Sequence, residues 1–303
     1  MERPPASSPV GDRSDSWMLP EAKDEDLIYA SDMIRSKVFV LSLATGALVG
    51  EFGFSKIPWG ICTDDAGHIF VTRSTNDRKH GEVSEYTHGG TTPIAQLNVE
   101  GGANACAIDP ANGDLAVSAA QGSSNVKISI YAPPFTGRPL RSAIVSTMGG
   151  SVYLTYDNKS NLYFSTISYS DGSRLFKLSR SGGMPFNIAI SPPRDAAGSA
   201  AGWVGHDLIF AAGGGDNTVE RIRINGKSGR VANVTTLEGA GLDFGDNQFA
   251  TNGSVIVAGF AENNIGVWAY PDGKQLARFS GFGGRFVEGI AISRASGSSR
   301  RAF

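Results

Sequence analysis

The chain has 303 residues, 41% of them hydrophobic and 18% charged, with a formal net charge of −2. That length can bury a large core in one or two domains. The near-neutral balance leaves no basic footprint for nucleic acid, and no apolar run approaches the roughly 18 residues of a membrane span.

In chain order, "MERPPASSPVGDRSDSW" comes first, rich in Pro and Ser and without an apolar h-region. Residues 1–26 are therefore expected to form a flexible leader and not an intact signal peptide. Such leaders often lie between a removed signal and an exported domain, so a periplasmic or secreted location is one expectation and a soluble cytoplasmic one the other. The strand-like "DLIYASD" follows. From Pro58, "PWGICTDDAGHIFVTRS" reads as an apolar strand, a polar turn and a second strand. The phrase returns as "GANACAIDPANGDLAVS", "GSVYLTYDNKSNLYFST" and "DNQFATNGSVIVAG".

A second strand pair around a glycine turn follows each phrase. One glycine per turn gives Gly46, Gly89, Gly137, Gly182, Gly226 and Gly273, spaced 43, 48, 45, 44 and 47 residues apart. A period of about 40–50 residues with four strands per unit is the signature of propeller blades. Runs such as "HIFVTRS" and "DLIFAA" are almost continuously apolar, as strands covered on both faces must be. The 39 glycines and the lack of a 3.6-residue apolar period predict few helices.

The terminal phrase "VEGIAISRA" matches the first-strand phrase "PWGICTDD", whereas "DLIYASD" matches a second strand. The expected fold is thus all-β: a single six-bladed β-propeller over residues 27–295, with four antiparallel strands per blade. The C-terminal strand completes blade 1 and pairs an otherwise open edge, and 296–303 form a flexible tail. Cys62 and Cys106 fall on first strands of neighbouring units and are read as two inert core thiols in preference to a disulfide.

In such a ring the innermost strand of each blade begins at one mouth of the channel. Aligning first strands on the middle residue of "PxG" brings Trp59, Asn104, Val152, Asp246 and Glu288 to that mouth, with Tyr153 one register step away. The fifth unit, "AGSAAGWVGHD", is too degenerate to align. Loops between second and third strands carry Asp32, Arg35, Arg73, Asn76 through His80, Asp171, Asp216, Asn217, Asn263 and Asn264 to the same face. The expected ligand site is Trp59, Arg73, Asn104, Tyr153, Asp246, Arg285 and Glu288. Trp59, Tyr153 and Phe286 offer a stacking wall if they do not pack within the ring. Asn104, Asp246 and Glu288 are hard oxygen ligands suited to Ca²⁺ or Mg²⁺, not to zinc. The alternative is a hydrated cluster paired with Arg285 or Arg73.

The pattern P-x-G-I-x-x-D-x-x-G-x-I-F-V from Pro58 to Val71 resembles the blade phrase of NHL-type propellers and their relatives, which include gluconolactonases and streptogramin lyases. The resemblance covers residues 27–295, and its motif marks a blade, not a reaction. It implies a six- or seven-bladed ring with a ligand site at one mouth. By resemblance to gluconolactonases, Glu288, Asn104 and Asp246 hold a divalent ion; by resemblance to the lyases, His80 is the candidate base. With no "GxSxG" elbow, zinc set or nucleotide loop in the chain, the leading expectation is a propeller that binds a small molecule or protein without chemistry of its own. The competing one is a metal-dependent lactonase, hydrolase or lyase.

Overall fold

The computed structural model describes residues 16–122, 124–135, 137–146, 152–166, 174–192, 200–211, 217–240, 248–260, 264–280 and 287–296. The first sheet contains β1 (Trp17–Met18), β2 (Leu27–Asp32), β3 (Lys37–Ser42) and β4 (Leu48–Gly53). The second contains β5 (Ile57–Thr63), β6 (Ile69–Ser74), β7 (His80–Tyr86) and β8 (Pro93–Glu100). β9 (Gly102–Ile108), β10 (Leu115–Gln121), β11 (Asn125–Tyr131) and β12 (Arg141–Ser146) form the third.

Two antiparallel four-strand runs follow. One is β13 (Val152–Tyr156), β14 (Leu162–Thr166), β15 (Arg174–Leu178) and β16 (Phe186–Ser191). The other is β17 (Ala200–Val204), β18 (Asp207–Ala211), β19 (Thr218–Asn225) and β20 (Ser228–Thr236). Their outer strands β16 and β20 pair in parallel, so the two runs form one eight-stranded sheet. That pairing covers two edges that would otherwise lie open. The last sheet holds β21 (Phe249–Thr251), β22 (Val255–Phe260), β23 (Asn264–Ala269) and β24 (Gln275–Phe279). Finally β25 (Val287–Ser293) pairs antiparallel with β2, so the two ends of the chain share the first sheet.

The polar turns of the repeated phrase are aspartate-capped. Asp64 Oδ1 accepts the His68 N–H at 2.8 Å, Asp109 Oδ1 that of Ala111 at 3.0 Å, and Asp157 Oδ1 those of Lys159 and Asn161 at 2.9 and 2.8 Å. Aspartate carboxylates that satisfy their own turn explain why the phrase keeps returning to Asp.

The apolar clusters lie in the seams between neighbouring four-strand runs. Tyr29, Val40 and Phe52 pack against Ile61, Val71 and Tyr86 across the first seam, and Phe70 and Val83 meet Cys106 and Val117 across the next. The last seam returns to the start, with Val257, Ile265 and Val267 against Ile28, Phe39 and Leu41. This is the sheet-on-sheet burial that makes the strands apolar on both faces.

Two expectations are corrected. Cys62 and Cys106 are joined by a disulfide, with a Cα–Cα distance of 5.7 Å. The seam brings their two strands within bonding reach, which sequence spacing alone does not reveal. The segment from Ser16 to Asp26, counted into the leader, is docked on the first sheet. β1 pairs with β4, the Leu19 N–H donates to Val49 O at 2.8 Å, and Ala22 is fully buried. Trp17 and Met18 cover an edge that β4 would otherwise expose.

Candidate functional site

Three of the innermost strands, β5, β9 and β25, carry bulges at one level. In β5 the register passes from Pro58↔Arg73 to Ile61↔Val71, leaving Trp59 and Gly60 in the bulge. In β9 it leaves out Asn104, and in β25 it leaves out Glu288 and Gly289. A bulge re-aims the side chain it contains. Opposite each one, the second strand places a fully buried hydroxyl: Thr72, Ser118 and Ser31 respectively.

These hydroxyls fasten the bulges and the sheets together. Thr72 Oγ1 accepts the Gly60 N–H at 2.9 Å and lies 3.0 Å from Asn104 O on the next sheet. Ser118 Oγ accepts the Ala105 N–H at 3.1 Å and donates to Val152 O at 3.0 Å. Ser31 Oγ accepts the Gly289 N–H at 2.7 Å and donates to Trp59 O at 2.5 Å. Three successive inner strands are tied to the next by the same device. The glycines of "PxG" belong to it. A Cβ on Gly60 would stand 2.6 Å from Asn104 O, and one on Gly289 2.2 Å from Trp59 O.

Four expected side chains meet at this level. Trp59, Asn104, Tyr153 and Glu288 line one narrow pocket with Gly60, Ala105 and Val152, enclosing about 210 Å³ of space that includes open solvent. The indole Nε1 of Trp59 donates to Ser74 Oγ at 2.7 Å, and the Arg78 guanidinium lies over its ring, 4.8 Å from the centroid. Asn104 Oδ1 is buried and has no hydrogen-bond partner among the described residues. Near this level the amide of Gln248 accepts from Ile61 N–H at 3.1 Å and donates to Ile61 O at 2.8 Å, while its own N–H donates to Glu288 O. Gln248, just before β21, is thus bonded to both β5 and β25.

Arg73 is not among the pocket residues. Only 2% exposed, it is ion-paired with Glu82, donates to Ser84 Oγ at 2.5 Å and lies 4.7 Å from the centroid of Phe54. Burial of the Glu82 carboxyl works to raise its pKa, but Arg73 and Lys56 outweigh it and hold the group below its ordinary range. Asp246 and Arg285 lie outside the described residues, as do Asp171, Asp216, Asn263 and Phe286. Asp32 is buried and caps its own loop, accepting the Ile34 and Arg35 N–H groups at 2.9 Å. Asn217 begins the approach to β19 at φ 47°, and Asn264 is buried on β23. His80 is exposed where β7 begins.

Among the described residues no cluster of three or more His, Cys, Asp or Glu side chains is arranged to hold a metal. Asn104 and Glu288, two of the three expected ligands, do share the pocket. Sequence reasoning missed the hydroxyls, Gln248 and the Arg78–Trp59 contact. A serine inside an apolar strand reads as an ordinary strand residue, although its recurrence one strand after each "PxG" was a usable signal.

No family model matches the chain, and no curated protein matches it. Among solved structures, a chain of the nidogen/laminin complex superposes with a TM-score of 0.61 at 14% identity, over 89% of this chain and 99% of that one. A protein of unknown function from Bacteroides caccae gives 0.58 at 13%, again over 89% and 99%. A chain of the mitotic checkpoint complex gives 0.54 at 12%, over 97% and 90%. At these identities the likeness is one of fold, and it agrees with the sheets and seams described above: the chain is a β-propeller.

Proposed function

We propose that the chain is a six-bladed propeller over about residues 27–295 that binds a projecting segment of a partner protein at this mouth, without chemistry of its own. The count of six takes the eight-stranded sheet as two blades, in keeping with the apolar seams between successive four-strand runs. One observation carries the binding reading. Side chains from four different inner strands, one of them with an unpartnered buried oxygen, converge on one pocket. The pocket is too narrow to enclose a drug-sized ligand, so a partner would present only a small group to it. Two of the fold's likenesses come from assemblies, nidogen/laminin and the mitotic checkpoint complex. The disulfide fits export to an oxidising compartment. The test is selection from a random peptide library on the full chain. Peptides should be enriched that lose at least tenfold in affinity on Asn104→Ala, and enrichment indifferent to that change would end the reading.

The metal-dependent reading keeps one observation in its favour. Asn104 Oδ1, buried and unpartnered beside Glu288, is the kind of oxygen a hard cation would take. A bound Ca²⁺ or Mg²⁺ would act there as a Lewis acid toward a lactone carbonyl, while Trp59 and Tyr153 would shape the space around it. If the reading is right, the melting temperature rises with the logarithm of Ca²⁺ concentration and Glu288→Gln removes the rise. A melting temperature indifferent to millimolar Ca²⁺, Mg²⁺ and Mn²⁺ after chelation rules it out.

A further inference from the structure

The geometry points to Arg78 as the anchor of this mouth for a carboxylate, the aspartate or glutamate side chain of a partner segment; the inference rests on the partner-binding reading above. Arg78 is exposed, on the loop between β6 and β7, and its guanidinium lies over the Trp59 ring that lines the pocket. A guanidinium held over an aromatic face keeps its in-plane N–H groups available, and their fork matches a carboxylate in bidentate geometry. Among the described residues, ion pairs engage Lys56 and Arg73 with Glu82 and Lys127 with Glu100, but none engages Arg78. The nearest acid in sequence, Asp77, is occupied by its own loop, accepting from Thr75 Oγ1 at 2.6 Å and from the Lys79 N–H at 3.1 Å.

The loop holds Arg78 in place before any partner arrives. Its N–H donates to Thr75 O at 2.9 Å, and Lys79 O accepts the Gly101 N–H at 3.2 Å. Gly102 makes room for it: a Cβ there would stand 2.8 Å from the Cβ of Arg78. Below it, Trp59 is fixed by its bond to Ser74. Arg78 also sits at φ 54°, in the left-handed region. The corresponding loops of other sheets place Ser36, Gly122 and Asn217 at positive φ, all small or short polar residues. A long charged side chain is the exception, and strain retained at a surface loop is a mark of function. A guanidinium already stacked on an aromatic ring meets a carboxylate with less ordering left to do, so a larger share of the interaction remains as affinity.

The experiment uses the peptides selected on the full chain, with affinities measured by fluorescence polarisation for wild type, Arg78→Gln, Arg78→Lys and Asn104→Ala. The selected peptides should share an Asp or Glu. Arg78→Gln should weaken binding at least tenfold, and Arg78→Lys should restore only part of it. Replacing the peptide's acid with its amide should cost the wild type as much, and cost Arg78→Gln almost nothing. Circular dichroism and melting of Arg78→Gln should match wild type, since the side chain is exposed. Peptides that bind Arg78→Gln as well as wild type, or whose required residue is Lys or Arg, overturn the anchor while leaving the mouth as a binding site if Asn104→Ala still weakens them. Failure to enrich any peptide sensitive to either substitution overturns both.

Discussion

Replacing Thr72 by valine tests the fastening of the inner strands with almost no change in shape. Thr72 is fully buried, and its Oγ1 lies 2.9 Å from the Gly60 nitrogen and 3.0 Å from the carbonyls of Gly60 and Asn104. Valine puts a methyl where the hydroxyl was. No cavity opens, but the Gly60 N–H loses its acceptor and the Asn104 carbonyl loses a donor from the neighbouring sheet. A buried group left unsatisfied costs about 1–3 kcal/mol, and two weakened groups offset by a little extra apolar contact give a net loss of about 2 kcal/mol. At about 2–4 °C per kcal/mol for a domain of this class, the melting temperature should fall by about 4–8 °C. Thermal melts followed by far-ultraviolet circular dichroism, with urea titrations to check that the slope is unchanged, measure it. Thr72→Ser keeps the hydroxyl and loses one methyl, so it should cost less than Thr72→Val. A valine variant within about 0.5 kcal/mol of wild type, the usual range for a neutral substitution, would refute the reasoning, as would a serine variant less stable than the valine.

Gly289→Ala forces a Cβ to 2.2 Å from the Trp59 carbonyl, a backbone atom that cannot swing aside; the loss should reach about 3 kcal/mol or more, and a stable, soluble alanine variant would show that the strands part easily. Ser160→Gly should stabilise by about 1 kcal/mol, because Ser160 sits at φ 62° with a buried hydroxyl that has no partner; a lower denaturation midpoint than wild type would contradict this. Changing both Cys62 and Cys106 to alanine removes a 44-residue cross-link, worth about 4 kcal/mol in the chain-entropy account, and melts with and without reductant should differ for wild type only. Glu82 has a folded pKa held below its ordinary 4.5, so its stabilising contribution is complete above that value and is lost as pH falls through the folded one. Glu82→Gln should therefore flatten the stability curve below about pH 4.5, and parallel curves for the two proteins would show that the assignment is wrong.

The parts of this fold legible in the sequence are those written in local patterns. Alternation of apolar runs with Asp-rich turns marks strands and their reversals, and the split between "DLIYASD" and "VEGIAISRA" leads to the pairing of β2 with β25. The common level of Trp59, Asn104 and Glu288 was also legible, because all three occupy one position of a repeated phrase. What stayed hidden depends on neighbours distant in sequence. Arg73 looks like a mouth residue until Phe54, from the preceding sheet, and Glu82, from the next strand, surround it. The disulfide needs the 5.7 Å approach of two strands. The parallel pairing of β16 with β20 and the docking of Trp17–Met18 on β4 both settle exposed edges, and an edge is a property of the assembled sheet.

The hydroxyls and bulges also account for which positions are free to serve binding. At the middle position of the first-strand phrase the chain carries Trp59, Asn104, Val152 and Glu288, an aromatic, an amide, an aliphatic and an acid. No single packing demand could select so mixed a set. One residue further on, Gly60, Ala105 and Gly289 are all small, because there the backbones of adjacent inner strands nearly touch. Tyr153 breaks that rule, and it does so where the bulge is missing: β13 pairs with β14 in continuous register, Tyr153 standing opposite the buried Ser165. With no bulge to aim the preceding side chain, Tyr153 itself lines the pocket beside Val152. The ring is thus held by backbone contact and hydroxyls at positions that tolerate little. The pocket is lined by neighbouring positions whose chemistry the ring leaves open, so on the proposed reading Asn104→Ala should alter binding with far less effect on the fold than Thr72→Val.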